Sequence, residues 1–188
     1  MGRRSVALEF NNLNESMGYI LEVVANMEPG TEHTDRTPAR FLQMLKEMTT
    51  PVPFQFTTFK AKGRDMIVVK QIPIVSLCKH HVVPFRGYAH VGYIPQDLIV
   101  GLSKIPRLAQ NCARSLSVQE ELTNVIADQL QERLETDDVA VVMECEHLCM
   151  TIRGVQAPGT TTYTATMRGV FGIHERTAKA EFFQAIGK

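Results

Sequence analysis

The run Ser76-Leu77-Cys78-Lys79-His80-His81-Val82-Val83-Pro84 places a thiol and two imidazoles close together in the chain. Thiolate and neutral imidazole are both good zinc donors. The spacing Cys78-x-x-His81 lets one short turn aim both groups at one ion. His80 lies between them, is poorly placed to join the same tetrahedron, and is free for acid–base work. Turns and cores also carry Cys and His for packing reasons, so a second source of donors matters. It comes far downstream in Cys145-Glu146-His147-Leu148-Cys149. If a strand persists through that run, Cys145, His147 and Cys149 share one face and Glu146 takes the other. Spacing leaves both Cys145 and Cys149 open as the further ligand.

A second kind of chemistry lies at Gly101-Leu102-Ser103-Lys104, which reads as a strand-to-helix junction. Ser103 suits an N-cap, and Pro106 is tolerated in the first turn. Free N–H groups at a helix start attract phosphate, and Lys104 and Arg107 add positive charge. An ordinary capped surface helix explains the same residues equally well. Ser117-Val118-Gln119-Glu120 fits a capping box, which gives Glu120 a complete structural explanation.

The elements that must position these groups follow from periodicity. Val6, Phe10, Leu13, Met17, Ile20, Val24 and Met27 form one helical face, ended by Pro29-Gly30. Thr37-Pro38 opens a second helix whose apolar face is Phe41, Leu42, Leu45 and Met48, with Arg40 in its first turn. Met66 to Val75 is rich in Val and Ile and reads as a strand, with Pro73 marking a strand end or an edge. Tyr88 to Ile94 alternates as a strand; His90 takes no role in this reading. Val118, Leu122, Val125, Ile126 and Leu130 give the buried face of a helix running to about Leu134. Val139 to Met143 is an unbroken apolar strand, buried on both faces. Thr160 to Met167 reads as the last strand, and Thr177 caps a tail helix, Ala178 to Ile186. The layout is α+β, an antiparallel sheet with helices on one face. Oligomerisation is the simplest cover for the other face and the edges. Residues 1–50 form an N-terminal helical region and residues 51–188 the main domain, which carries the candidate site residues and ends in the tail helix.

Composition excludes other classes. Lys+Arg and Asp+Glu are both 20, a balance that argues against a general nucleic-acid surface. No apolar run is long enough to span a membrane. The start, Met1-Gly2-Arg3-Arg4-Ser5-Val6-Ala7, lacks a signal peptide's apolar core and fails the myristoylation pattern at Val6. Cys78, Cys112, Cys145 and Cys149 then read as free thiols or metal ligands, and the cytoplasm is the expected location.

Several runs together resemble the GTP cyclohydrolase I family. They are Ser76–His81, Gly101-Leu102-Ser103-Lys104-Ile105, Val118-Gln119-Glu120-Glu121-Leu122-Thr123, Glu146-His147-Leu148-Cys149-Met150 and Arg153-Gly154-Val155, in the family's order and at closely similar spacing. Weaker similarity reaches Asp35–Arg40, Arg168-Gly169-Val170-Phe171 and the Glu181-Phe182 tail. The resemblance implies a tunnelling fold, in which sheets from several subunits close into an oligomeric barrel. It implies a toroidal homodecamer with active sites at subunit interfaces. It also implies Zn2+ held by Cys78, His81 and Cys149, with a fourth position left for water, and Cys145 as a spare thiol.

The activity so implied is hydrolytic opening of the GTP imidazole ring at C8, with loss of formate and formation of 7,8-dihydroneopterin triphosphate. His80 matches the residue that handles the N7 proton, and His147 a second acid–base histidine. Glu120 matches the carboxylate that reads guanine N1 and N2, and Gln119 a second pocket residue. Ser103, Lys104, Arg107 and Arg153 match the ribose-triphosphate contacts, with Arg40 joining from a neighbouring subunit. Two features depart from the family: Lys79 stands where an acidic residue is usual, and the loop Thr31–Arg36 differs. Two other readings compete. One is a related tunnelling-fold enzyme acting on a pterin or deazapurine, which would not need Glu120 with the phosphate cluster. The other is a non-catalytic, zinc-stabilised oligomer, which a fourth protein ligand such as Cys145 would favour. The His-x-Glu and Pro-Cys-x-x-Cys pairings of zinc deaminases are absent.

Overall fold

The computed structural model describes residues 12–173 and 177–188. Val6 and Phe10 of the expected first helical face lie outside the described residues. The chain divides into two compact units, Met1–Met48 and Thr49–Lys188. In the first, α1 spans Leu13–Ala25. Asn12 caps it, accepting from the Glu15 backbone N–H at 3.1 Å while its own amide donates to the Glu15 carboxylate at 3.2 Å. That reciprocal pair satisfies a helix start that Pro or Thr chemistry would not have signalled. Asn26, in the left-handed region at φ 53°, ends the helix short of Met27. The second helix, α2, spans Thr37–Thr49 and carries Arg40 on its exposed side. Thr37 is its first residue, and the Thr37 hydroxyl donates to the His33 carbonyl at 3.4 Å.

The second unit is built on a five-stranded sheet. Its strands are β2 (Ile67–Cys78), β3 (Pro84–Tyr93), β5 (Leu116–Ser117), β6 (Val139–His147) and β7 (Thr161–Met167), in the order β5-β2-β3-β6-β7. All neighbours pair antiparallel except β5, which lies parallel to the end of β2. A small separate sheet joins β1 (Thr58–Lys60) to β4 (Leu98–Val100). Pro73 sits inside β2, opposite Tyr88, where β2 has a neighbour only on its β3 side, so the missing N–H breaks no ladder.

Helices α3 (Lys104–Cys112) and α4 (Gln119–Leu134) cover one sheet face. Ile105, Leu108, Leu122, Ile126 and Leu130 pack there against Ile72, Ile74, Phe85, Val91, Val141 and Met143. Val125, assigned to the buried face of α4, is instead 44% exposed; Thr123 and Ala127 take the inward positions. The expectation of helices on one face only is corrected. Alternate residues of β6, Ala140 and Val142, point the other way and pack with Phe171, Phe182 and Ile186. Those residues belong to a 3-10 turn (Gly169–Gly172) and to the tail helix α6 (Ala178–Ile186). The unbroken apolar run in β6 therefore has its second cover, at least at one end, in its own chain. Gly92 makes room for it: a Cβ there would come within 2.6 Å of the Phe182 ring. Among the described residues no helix is long and apolar enough to cross a membrane.

Candidate metal centre and active site

The strand β2 delivers Cys78, buried but with an exposed remnant of 5%, to the mouth of a tight turn. The Cys78 carbonyl accepts from His81 N–H at 3.2 Å and Val82 N–H at 2.8 Å, and the Cys78 N–H donates to Val83 at 2.9 Å. Closing this turn forces Val82 into the left-handed region at φ 54°, a costly place for a β-branched residue. The strain buys a fixed direction for His81. The turn is tied to β5 through Lys79 N–H, which donates to Ser117 at 3.0 Å. Lys79 itself reaches away from the cysteine and pairs with Glu121 on α4. Both partners are substantially exposed, so the pair contributes little stability.

The third donor arrives by a change of element. The strand predicted to persist stops at His147, and a single helical turn, α5 (Leu148–Thr151), swings Cys149 toward the Cys78 turn. Donor atoms of Cys78, His81 and Cys149 all lie within 4.8 Å of one another. Cys145 is outside this group: it points into the core, wholly buried, and burial pushes its thiol up to about 12. Burial, followed by the charge and hydrogen bonding of Cys78, also raises Cys149, while Arg153 pulls it back. Two sulfurs with an imidazole beside them are the donor set a thiophilic cation satisfies. His80 is exposed, with Nδ1 3.8 Å from the Cys78 sulfur.

His147 ends β6 on the same sheet face as Cys145, as strand alternation predicts, and Glu146 lies on the other, near Arg86. The His147 ring stacks on Phe85 at 4.8 Å and 12°. Its Nε2 lies 2.8 Å from Gln119 Oε1. Burial holds His147 below its ordinary value, and the charge of Glu120 acts in the opposite direction. Glu120 is exposed in the first turn of α4. The expected capping box does not form: Ser117 is paired in β5, its hydroxyl donates to the Val118 carbonyl, and Val118 holds the cap position. Tertiary pairing with Cys78 has overridden the local signal, and among the described residues the Glu120 carboxylate has no hydrogen-bond partner.

Ser103 and Thr177 both occupy cap positions with helical backbone angles, and neither side chain makes a capping bond. Ser103 and Arg107 are exposed and Lys104 half-buried at the start of α3. The end of α3 leads into β5, beside Leu77 and Cys78. Ser103 and Lys104 thus stand at one end of a helix roughly 13 Å long whose other end leads toward the metal group. Arg153 is exposed at the metal end, and Arg40 belongs to the other unit. Sequence reasoning missed Phe85, the hydroxyls of Thr123 and Thr164 and the backbone carbonyl of Thr162 around Gln119. Thr162 and Thr164 were detectable as polar residues at alternate, less exposed positions of β7, and Thr123 as a polar residue on the inward face of α4; nothing marked Phe85.

A family model described as GTP cyclohydrolase I matches residues 13–187. The chain is 38% identical over 185 residues to a GTP cyclohydrolase 1 of Halalkalibacterium halodurans, covering 95% of this chain and 97% of that one. It is 42% identical over 173 residues to the enzyme of Corynebacterium glutamicum, with 88% of each chain covered. With that of Dictyostelium discoideum it shares 40% over 182 residues, 94% of this chain and 78% of the relative. With the metal group's geometry and these matches together, the chain belongs to the GTP cyclohydrolase I family.

Proposed function

We propose that this protein opens the imidazole ring of GTP by hydrolysis, releases C8 as formate and yields 7,8-dihydroneopterin triphosphate. The observation that carries the reading is the gathering of Cys78, His81 and Cys149 from distant segments into one three-donor group. Two sulfurs and one imidazole suit zinc and leave room for a fourth, non-protein ligand. Zinc bound there supplies a Lewis acid that makes water a usable nucleophile near neutral pH.

The side chains divide the remaining work. His80, exposed beside the group, manages the proton at purine N7, which renders C8 electrophilic. His147 moves a second proton at the ring; histidine suits both tasks because its ordinary pKa lies near working pH. Glu120 accepts from guanine N1–H and N2–H, a donor pair that adenine lacks. Hydration at C8 opens the ring, and a second hydration releases C8 as formate. The ribose then undergoes an Amadori-type rearrangement, and the freed amine closes onto it with loss of water. Net, one water enters for each formate released.

Ser103, Lys104, Arg107 and Arg153 bind the ribose and triphosphate, with Arg40. The separation of the α3 start from the metal group supports a homo-oligomer, a tunnelling-fold decamer, in which one copy supplies the phosphate end to its neighbour's metal end. The outer edge of β7, unpaired among the described residues, is a natural place for such a neighbour. A cytoplasmic setting fits four free cysteines. Incubation with GTP and zinc, followed by oxidation, is expected to give fluorescent neopterin phosphate and formate. His80→Ala abolishes both while zinc stays bound. Loss of zinc together with activity would make His80 structural, and a fully metallated wild type that leaves GTP untouched would end the reading.

A further inference from the structure

Gln119 is wholly buried at the first turn of α4. A buried primary amide has two N–H donors and one carbonyl acceptor to satisfy. Its nitrogen faces the backbone carbonyls of Met143 at 3.2 Å and Thr162 at 2.9 Å, and Thr164 Oγ1 at 3.0 Å. Carbonyl oxygens only accept, so the amide cannot be turned over: the flipped orientation would set its oxygen against two oxygens. The threonine is constrained as well. The Thr123 hydroxyl donates to the Gln119 backbone carbonyl at 2.7 Å, and Thr164 Oγ1 lies 2.7 Å from Thr123 Oγ1. With the Thr123 proton spent, Thr164 donates to Thr123 and accepts from Gln119. Gln119 Oε1 is then the atom that meets His147 Nε2 at 2.8 Å. An amide oxygen has no proton to give, so the imidazole nitrogen carries one. Phe85, stacked on the ring, resists any tilt out of this plane.

We infer that Gln119 is a positioning residue that holds His147 in the Nε2–H tautomer, so that His147 exchanges protons with the nucleotide through Nδ1. This rests on the reading of His147 as an acid–base residue at the purine ring. Gln119 itself, buried and with both polar side-chain atoms engaged, does not touch substrate. The pocket role that the resemblance implied for it is replaced by one exerted through His147.

The test is solid-state NMR of the zinc-loaded protein carrying 13C,15N-histidine, with His147 assigned by difference against His147→Gln. The expected spectrum has a pyrrole-type nitrogen at Nε2 and a pyridine-type nitrogen at Nδ1; the reverse pattern overturns the inference. Gln119→Met keeps similar volume without an acceptor. It is expected to release both tautomers and to lower kcat by about 10- to 100-fold, with KM within about twofold and zinc retained. A variant with the single Nε2–H signal and unchanged kcat would equally overturn it. If Gln119→Met does not fold, the wild-type spectrum decides alone. A protein that shows the Nε2–H signal yet turns over no GTP would end the activity reading and leave this tautomer standing. An active protein with the proton on Nδ1 would end only the inference.

Discussion

Cys145 and Cys149 have the same chemistry, lie close together in sequence, and differ in what surrounds them. Cys145 is a core residue with its thiol held near 12, and Cys112 is pushed up by burial to about 11. Neither is ionised enough at pH 8 to react quickly. Iodoacetamide at that pH is expected to spare all four cysteines of the metallated protein and, after chelation, to label Cys78 and Cys149; mass spectrometry reads the sites. His90, to which the sequence assigned no role, supplies a different test. It is 4% exposed and its Nδ1 has no partner among the described residues. Burial, then the charge of Lys188, holds it below its ordinary 6.5, against the pull of Glu144. Below that pH the unfolded chain binds a proton that the folded chain resists. The stability contributed by this depressed pKa is therefore complete above 6.5 and is lost as pH falls toward the folded value. Urea midpoints should drop between pH 7.5 and 5.5, and His90→Gln should flatten that drop; an equal slope in both proteins would contradict the account.

Among the elements, α6 and β6 share one piece of physics. Phe182 seats against Ala140 and Val142 in the space that Gly92 leaves. Gly92→Ala should cost about 1–3 kcal/mol by overpacking and Phe182→Ala about 3–5 kcal/mol by cavity formation, both read from urea denaturation. The sequence showed α6 with its limits, because a flanking Thr is a local signal even where, as here, its side chain makes no capping bond. It also showed that β6 needed cover on both faces. What it could not show was the source of the second cover, since which side a tail returns to depends on contacts distant in the chain. The same limit explains the missed capping box. Ser117 and Glu120 have the right spacing, but Ser117 is claimed by a parallel pairing with Cys78 that no local pattern encodes. Cys149 is the reverse case: residue type and family resemblance found it, while the route was misjudged, because β6 yields to a helical turn at Leu148. Phe85 carried no signal, as a stacking partner for His147 looks in sequence like any core phenylalanine.

At the scale of the whole molecule, Ser103 and Lys104 at the start of α3 lie at the far end of that helix from the Cys78 turn, so the proposed phosphate role calls for a neighbouring copy. A site shared between copies predicts complementation. Lys104→Ala and Cys149→Ser proteins, each inactive alone, should regain part of wild-type GTP turnover when their subunits are mixed and reassembled. Mixed oligomers that stay inactive would place the whole site within one chain. The neutral charge balance fits this picture, in which cations are concentrated locally for a triphosphate rather than spread over the surface.

The claim beneath all of this is a cation held by Cys78, His81 and Cys149 with one coordination position not taken by protein. Zinc K-edge X-ray absorption on the purified, metallated protein reads that shell directly. The account predicts two sulfurs at about 2.3 Å, one imidazole nitrogen at about 2.0–2.1 Å and one further light atom. A third sulfur, or a shell that survives unchanged in Cys149→Ser, would contradict it.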